Sequence, residues 1–558
     1  MEDVKEGLAL LIQNAIEKVA SQKGVILPEG FAVLLERPKR EGQGDFATNA
    51  AMQLCKVFKT PPAALAAEFI ANIKNGGIIK SLEVAGPGFL NITLSDTWVS
   101  DVIRSVLSAD GDYGRNNMGE GKKVQVEFVS ANPTGPIHLG HGRGAAVGDI
   151  MSSILAFSGW VVEREYYIND AGLQMENLGK STQSHYFELL NKGELAPFPV
   201  DGYPGDYIID IAKSVMARYG DTLAEQPLED TQPYFRDETA SKVLEMIRKD
   251  LSDFGVEFDV WFSEKSLYDD DLVDRTIALL KKADYAYDLD GAVWFRSTAF
   301  GDDKDRVMIR ANGMPTYFTS DIAYLQNKYE RGFDFLIYVW GADHHGYIPR
   351  IRSVNKALGA DDDKLDILLI QFVSLLRNGV PVAMSKRAGS FVTLREVLDE
   401  VGKDATRFFF VSRKCDSHLD FDLEIAKQSS ADNPVFYVQY AHARICSILR
   451  EAASRGFAMP EPSELDSGAI SEPTETQLVK VISRFPEEVA KAASGHEPHR
   501  IAFYATDLAE AFHAFYNAQR VLGAEDNIMR SRLLLTEATR ITLKNCLGLL
   551  GITAPESM

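Results

Sequence analysis

The chain opens with apolar residues at helical spacing. Leu8, Leu11, Ile12, Ala15, Ile16 and Val19 share one face, and polar residues fill the other. The spacing then changes. "EGQGDFATNAAMQLCKVF" reads as a glycine loop entering an Ala-rich helix, and "LEVAGPGFLNITL" as two short strands around a Gly-Pro-Gly turn. "SADGDYGRNNMGEG" is polar and glycine-rich and reads as a hinge. These signals predict a separate α+β domain over residues 1–110.

From Lys122 the pattern is of another kind. "KKVQVEFVS" is a β-branched and aromatic run, "NPTGP" a turn, the stretch to about Trp160 a helix, and "WVVEREYYIND" the next strand. A β-turn-α-β order is the unit of a parallel sheet covered by helices. Helix and loop signals dominate from Ala171 to about Ser263, which reads as an insertion. Strand signals return at "AVWFRS", "RVMIRANGMPTYF" and "FLIYVWGADH". "TLREVLDEVGKDATRFFF" is a helical pair in which Thr393 and Glu396 fit a capping box. After Asp420 helical periodicity takes over. A long helix, "NPVFYVQYAHARICSILREAAS", precedes a Pro/Ser/acidic linker and three further helical segments. The expected fold is α/β: a Rossmann-like parallel-sheet core over 111–390 with an insertion at about 171–263, the N-terminal α+β domain, a helical connection over 391–430, and an all-α bundle over 431–558.

Composition narrows the class. With 45% hydrophobic residues but no long apolar run, the chain reads as globular and not membrane-spanning. The acidic first helix lacks the basic start and cleavage site of a signal peptide, and Cys55, Cys415, Cys446 and Cys546 are scattered. Both point to a cytoplasmic protein without a structural zinc. Lys+Arg 59 against Asp+Glu 80 gives a net charge of −21, which disfavours nonspecific binding to polyanions. Local basic stretches at Arg37–Arg40, Pro349–Lys356 and Ser385–Gly389 are either solvated surface or faces for a nucleic acid.

The stretch "SANPTGPIHLGHGRGAAVGD" carries the densest chemistry. Two histidines at i, i+3 can hold a metal, but no glutamate or cysteines complete a set. A glycine-rich entry to a helix can also be a tight packing site. The reading that uses every residue is nucleotide binding: a helix starting after a parallel strand presents N–H groups and a dipole to phosphate, His138 and His141 donate to phosphate oxygens, and Gly140 lets a flat base approach the backbone. Downstream, "VPVAMSKRAGS" is either a surface loop or a loop that folds onto triphosphate, with Lys386 stabilising the leaving pyrophosphate.

The two stretches in this order resemble the two signatures of class I aminoacyl-tRNA synthetases. "ANPTGPIHLGHGRG", "MPTYFTSDIAY" and "YVQYAHARI" are similar to the arginyl-tRNA synthetases, and the likeness covers almost the whole chain. It implies ATP-dependent ligation of L-arginine to its tRNA through an arginyl-adenylate, with Mg2+ accompanying ATP. It implies ATP binding by His138, Gly140, His141, Met384, Ser385 and Lys386, although Ala383 replaces the first lysine of the second signature's fullest form. It places Glu127, Asn132, Glu264, Tyr317, Asp321 and His345 around arginine. Carboxylates suit a planar, permanent cation, and Tyr317 and Asp321 stand at i, i+4. His344 fits equally a core residue or one facing ATP. The family's tRNA contacts fall on Phe89 and Asn91, on Tyr440, Arg444 and Tyr516 (with His442 on the same helix), and on the terminal Met558. Phe89 also fits an ordinary core position. The competing readings are a class I enzyme for another amino acid, such as cysteine, or a non-catalytic tRNA-binding relative. The sparse cysteines oppose the first, and the presence of His138, His141 and Lys386 opposes the second.

Overall fold

The computed structural model of the chain describes residues 2–38, 42–74, 77–170, 172–382 and 392–558. The opening periodicity forms helix α1 (Glu2–Lys23), which buries Leu8, Ile12, Ala15, Ile16 and Val19. Strand β1 (Phe46–Thr48), α2 (Ala50–Phe58), α3 (Pro62–Asn72), β2 (Ile79–Ala85) and β3 (Phe89–Leu94) follow, with the strands antiparallel in the order β1-β3-β2. Along β3, Leu90, Ile92 and Leu94 point into the core. Alternation therefore sends Phe89 and Asn91 to the other face, and Phe89 is exposed.

Helix α4 (Asp96–Ala109) leads into the segment that reads as a hinge. It is instead anchored, because one aromatic among its polar residues finds a core. Tyr113 is buried, its hydroxyl donates to Ile482 O at 3.1 Å, and its ring stacks on Phe485.

The central sheet is built from β4 (Lys123–Glu127), β5 (Val161–Ile168), β6 (Val260–Ser263), β10 (Phe335–Gly341) and β11 (Leu365–Ile370). All pair in parallel, in the order β11-β10-β4-β5-β6. The chain steps outward from β4 to β6, then returns to β10 on the other side of β4. That reversal opens a crevice beyond the carboxyl ends of β4 and β10, the usual ligand position in such sheets. Helix α5 (Leu139–Phe157) connects β4 to β5. Helices α6 (Leu173–Leu189), α7 (Asp206–Tyr219) and α8 (Leu228–Asp253) pack together between β5 and β6. Val260–Ser263, grouped with these helices by its position in the sequence, pairs with β5 and so belongs to the sheet.

Beyond β6 come α9 (Ser266–Asp269), α10 (Leu272–Lys282) and a small antiparallel sheet of β7 (Ala286–Leu289), β8 (Ala292–Phe295) and β9 (Arg306–Ile309). The strand signal in "RVMIRANGMPTYF" stops at Ile309. Gly313 turns the chain at φ +79, and Tyr317 begins α11 (Tyr317–Glu330). Helix α12 (Ile348–Ala357) lies between β10 and β11. Then come β12 (Val373–Arg377), β13 (Val380–Pro381), α13 (Leu394–Val401), α14 (Lys403–Phe410), β14 (Leu419–Asp422) and α15 (Leu423–Ala426). Thr393 and Glu396 form the expected capping box on α13.

The C-terminal region is helical: α16 (Pro434–Ser454), α17 (Pro473–Ile482), α18 (Phe485–Ser494), α19 (His499–Ala518) and α20 (Asp526–Leu549). Four helices follow the linker where periodicity suggested three. Pro486 starts a new helix, because its ring cannot continue the hydrogen-bond ladder of α17. No helix among the described residues is long and apolar enough to cross a membrane.

Helix α5 lies close against the end of β4. A Cβ at Gly148 would sit 2.2 Å from the Phe128 ring, and both neighbouring surfaces are packed solid. Gly148→Ala is therefore expected to lower stability by about 1–3 kcal/mol through overpacking. Chemical denaturation that gives an unchanged midpoint would contradict this.

Candidate active site

A cleft of about 690 Å³ lies at the switch point, bounded by the ends of β4, β10 and β11 and the start of α5. The chain reaches α5 from β4 through Val129 and Ser130, both in the left-handed backbone region at φ +64 and +41. A β-branched valine is costly there, so surrounding bonds must hold it. Ser130 Oγ accepts from Tyr167 N at 3.1 Å, and Tyr166 Oη donates to Ala131 O at 2.7 Å.

His138 is the N-cap of α5. Its Nδ1 accepts from the backbone N–H of Gly140 at 3.1 Å and of His141 at 3.3 Å. Leu139 N donates to Val392 O, and Gly142 N to His138 O. The first-turn amides that the sequence offers to phosphate are thus occupied within the chain. What remains to meet an anion is the imidazole pair. With Nδ1 accepting, neutral His138 carries its proton on Nε2 and is a donor there. The two rings stack at 3.7 Å with 20° between their planes. Burial lowers the pKa of His138. Burial, then the neighbouring His138, pushes His141 down to about 3. Both are neutral donors at pH near 7. A Cβ at Gly140 would lie 3.1 Å from His138 Cε1, so this glycine also makes room for the cap itself.

The opposite end of the cleft is acidic. Glu127 is paired with the fully buried Lys328 at 2.5 Å, whose ammonium lies 3.9 Å from the Tyr338 ring centroid. Behind it Glu165 pairs with Arg331 at 2.5 Å. Asp321 makes no ion pair among the described residues and accepts a hydrogen bond from Tyr347 Oη. Burial, with Glu264 and Glu127 adding repulsion against the Tyr347 hydrogen bond, pushes the Asp321 carboxyl up to about 7. Burial also raises Glu264, against hydrogen bonds from Ser320 and Tyr167.

The cleft is lined by Glu127, Asn132, His138, Gly140, His141, Tyr317 and Asp321. Asn132 Nδ2 donates to Gln174 Oε1 at 2.9 Å, and Tyr317 stands exposed at the rim. Glu264 is buried behind this lining, next to Asp321. Glu127 lines the cleft with its charge already paired to Lys328. His345 is exposed in the turn after β10, where it is His344 that borders the cleft. Tyr347, Lys328 and Phe372 were missed by sequence reasoning. For Tyr347 a signal existed in the aromatic run "GADHHGY". Met384, Ser385 and Lys386, with Ala383, lie outside the described residues.

Away from the cleft, Arg444 lies between the rings of Tyr440 and Tyr516, 5.0 Å from each centroid, and its NH1 donates to Tyr516 Oη at 3.1 Å. His442 turns inward on α16 and its Nδ1 lies 2.8 Å from Pro555 O. Met558, beyond that anchor, is exposed.

Residues 102–445, which carry the histidine pair at the start of α5 and the parallel sheet reversed at β4 and β10, match the family described as tRNA synthetases class I (R), catalytic domain. The chain is a class I aminoacyl-tRNA synthetase. Residues 7–94 match the arginyl tRNA synthetase N terminal domain, and residues 438–558 the DALR anticodon binding domain. An arginine–tRNA ligase of Syntrophotalea carbinolica is 49% identical, and arginine–tRNA ligase 1 of Halalkalibacterium halodurans 48%, each over 100% of both chains. The fold is that of the Thermus thermophilus arginyl-tRNA synthetase, with a TM-score of 0.74 over 99% of this chain and 100% of that one at 22% identity. The chain belongs to the arginyl-tRNA synthetase family.

Proposed function

We propose that this arginine–tRNA ligase carries out both half-reactions in the switch-point cleft, with ATP–Mg2+ over the histidine pair and arginine against Asp321. The observation that supports it most is the polarity of that one cleft: neutral donors at one end, and at the other a carboxylate that no cation of the described residues pairs with. The α-carboxylate of arginine is already ionised, so no general base is needed. It attacks the α-phosphorus of ATP, pyrophosphate leaves, and the acyl-adenylate then passes its aminoacyl group to the 2′-OH of the terminal adenosine of tRNA. Positioning and charge stabilisation supply the rate.

In this reading His138 Nε2 and His141 donate to phosphate oxygens, with Gly140 giving the base access to the backbone. Because both imidazoles are neutral, the positive charge that offsets pyrophosphate comes from Mg2+ brought in with ATP and from Lys386 in Met384–Lys386. Thr393 forms an isolated antiparallel bridge with His138, which ties the segment after Lys386 to the first signature. Asp321 faces the guanidinium, Glu264 adds negative potential behind it, Tyr317 closes the rim, and Asn132 with His344 meets the amino-acid head. Glu127 acts through Lys328 to fix the sheet end. The test is transfer of labelled arginine to arginine tRNA with release of AMP and pyrophosphate. A folded enzyme that acylates no tRNA under these conditions would refute the reading.

Arginine binding should depend on pH. A guanidinium pairs with ionised Asp321, so below a pKa of about 7 binding must also expel a proton. Affinity should rise about tenfold between about pH 6 and pH 8, then level off. Calorimetric titration of arginine at several pH values checks this, and a flat profile would remove Asp321 from the binding step.

The domains at the two ends of the chain take the tRNA. Phe89 and Asn91 present a ring and an adjacent amide on the open face of β3, suited to a splayed base. Tyr440, Arg444, Tyr516 and Met558 form the other contact, in the anticodon-binding domain. Arg444→Ala is expected to weaken tRNA binding by about 1–3 kcal/mol, the scale of one lost stacking platform, with the KM values for ATP and arginine unchanged. An unaltered Kd for tRNA would contradict it. The four cysteines, all free thiols, support a cytoplasmic location.

A further inference from the structure

Arg407, on α14, is fully buried, and its donors reach three other parts of the chain. Nε donates to Leu550 O at 2.8 Å, at the C-terminal end of α20. NH1 donates to Phe254 O and Gly255 O at 3.3 Å each, at the C-terminal end of α8. NH2 donates to Asp149 Oδ2 at 2.5 Å, on α5. The last carbonyls of a helix lack an intrahelical donor and carry the negative end of its dipole. Two such ends and a carboxylate therefore surround one planar guanidinium, which a lysine ammonium cannot satisfy in the same geometry.

The neighbouring residues are fitted to this joint. Gly551 follows Leu550 at φ +65, and a Cβ there would lie 2.4 Å from Arg407 NH2. A second buried arginine, Arg143 on α5, donates to Phe410 O at 3.3 Å, so α5 and α14 are tied at two points. Beyond Gly551 the tail runs over α14 and α16. Thr553 N donates to Asp404 Oδ2 at 3.2 Å, Gln439 Nε2 donates to Thr553 O at 2.9 Å, and His442 Nδ1 is 2.8 Å from Pro555 O. Gln439 and His442 alternate along α16 with Tyr440 and Arg444. An unbroken chain of contacts thus leads from the RNA-facing side of α16, through the tail and Arg407, to Asp149 on the helix that begins at His138 and His141.

We propose that Arg407 is a positioning residue for the reaction: it transmits the placement of the C-terminal tail, set by RNA held at Tyr440, Arg444 and Tyr516, to helix α5 and its two histidines. The inference rests on reading those three side chains as an RNA face. An α5 displaced by a fraction of an ångström carries both imidazoles with it, and misplacement on the scale of 1 Å costs about 10²-fold in rate.

The test uses the full-length enzyme with Arg407→Lys and, separately, Gly551→Ala, neither of which lines the cleft. Aminoacylation kcat, the KM values for ATP and arginine, the Kd for tRNA and the melting temperature are measured. Each folded variant is expected to lose about tenfold or more in kcat, with both KM values and the tRNA Kd within about twofold of the parent. Arg444→Ala should lower kcat at saturating tRNA in the parent, and add no further loss on top of Arg407→Lys. A kcat within about twofold of the parent in either folded variant would overturn the proposal. So would a loss spread equally over kcat, both KM values and tRNA affinity, or losses that simply multiply when Arg444→Ala is combined with Arg407→Lys. If Arg444→Ala leaves the tRNA Kd unchanged, the RNA-face reading fails and the relay fails with it. If it weakens tRNA binding while Arg407→Lys keeps the parent kcat, the relay fails and the RNA face stands.

Discussion

Asp321→Asn is expected to raise the KM for arginine by about two orders of magnitude or more while leaving the KM for ATP close to its parent value. The substitution keeps the shape of the side chain and an acceptor for Tyr347 Oη, and removes the charge that we propose faces the guanidinium. Breaking a desolvated, charge-assisted pair on one side costs about 3–5 kcal/mol, and each factor of ten corresponds to about 1.4 kcal/mol. Glu127 cannot substitute, because Lys328 holds it at 2.5 Å. The variant should fold normally, since a carboxyl with a pKa near 7 is already half neutral in the empty site. Steady-state kinetics with each substrate varied in turn decide the matter, and an unchanged KM for arginine would take Asp321 out of the pocket.

His141→Ala is expected to slow adenylate formation by about 10²–10³, the effect of losing one preorganised donor at developing charge. His141 is the cleaner of the two histidines to remove. Its Nδ1 is buried without a hydrogen-bond partner among the described residues, so its loss breaks no bond at that nitrogen and leaves the N-cap residue in place, while removing the ring stacked on His138. His138→Ala should cost a similar factor in rate, and in addition about 1 kcal/mol of stability from the lost N-cap. The burial that holds His141 near 3 gives a further expectation. Its protonation should leave no inflection in the rate between about pH 5 and pH 8, so any inflection in that window belongs to another group. Single-turnover formation of arginyl-adenylate, with wild-type rates in His141→Ala, would show that the ring does not touch the phosphates.

Much of this architecture is legible in the sequence because its signals are local. The α1 face, the Gly-Pro-Gly hairpin, the capping box at Thr393 and the i, i+4 pair Tyr317–Asp321 each need only a few neighbouring residues. Alternation also puts Phe89 and Asn91 on one face of β3, although which face is open depends on what packs against the other. What escaped depends on residues far apart in the chain. Lys328 neutralises Glu127 across 201 positions, and no periodicity announces such a pair. Tyr113 looks like a hinge residue until Phe485 appears beside it. Val260–Ser263 is too short to be recognised as a strand without β5 as its partner. The helix start at His138 was legible, but not that its own imidazole occupies the first-turn amides, since that depends on a side-chain rotamer. Choosing between His344 and His345 likewise depends on how one turn leaves β10.

The most direct measurement of the account is exchange of labelled pyrophosphate into ATP, in the presence of arginine tRNA, with arginine or with its neutral urea analogue citrulline. In the proposed reading the carboxylate of Asp321 meets the side-chain charge and the His138/His141 pair meets the phosphates. Wild-type enzyme should therefore exchange strongly with arginine and at least about 10²-fold less efficiently with citrulline. Asp321→Asn should close most of that gap by losing activity toward arginine. Exchange that proceeds equally with citrulline, or without any amino acid, would contradict the assignment of the cleft.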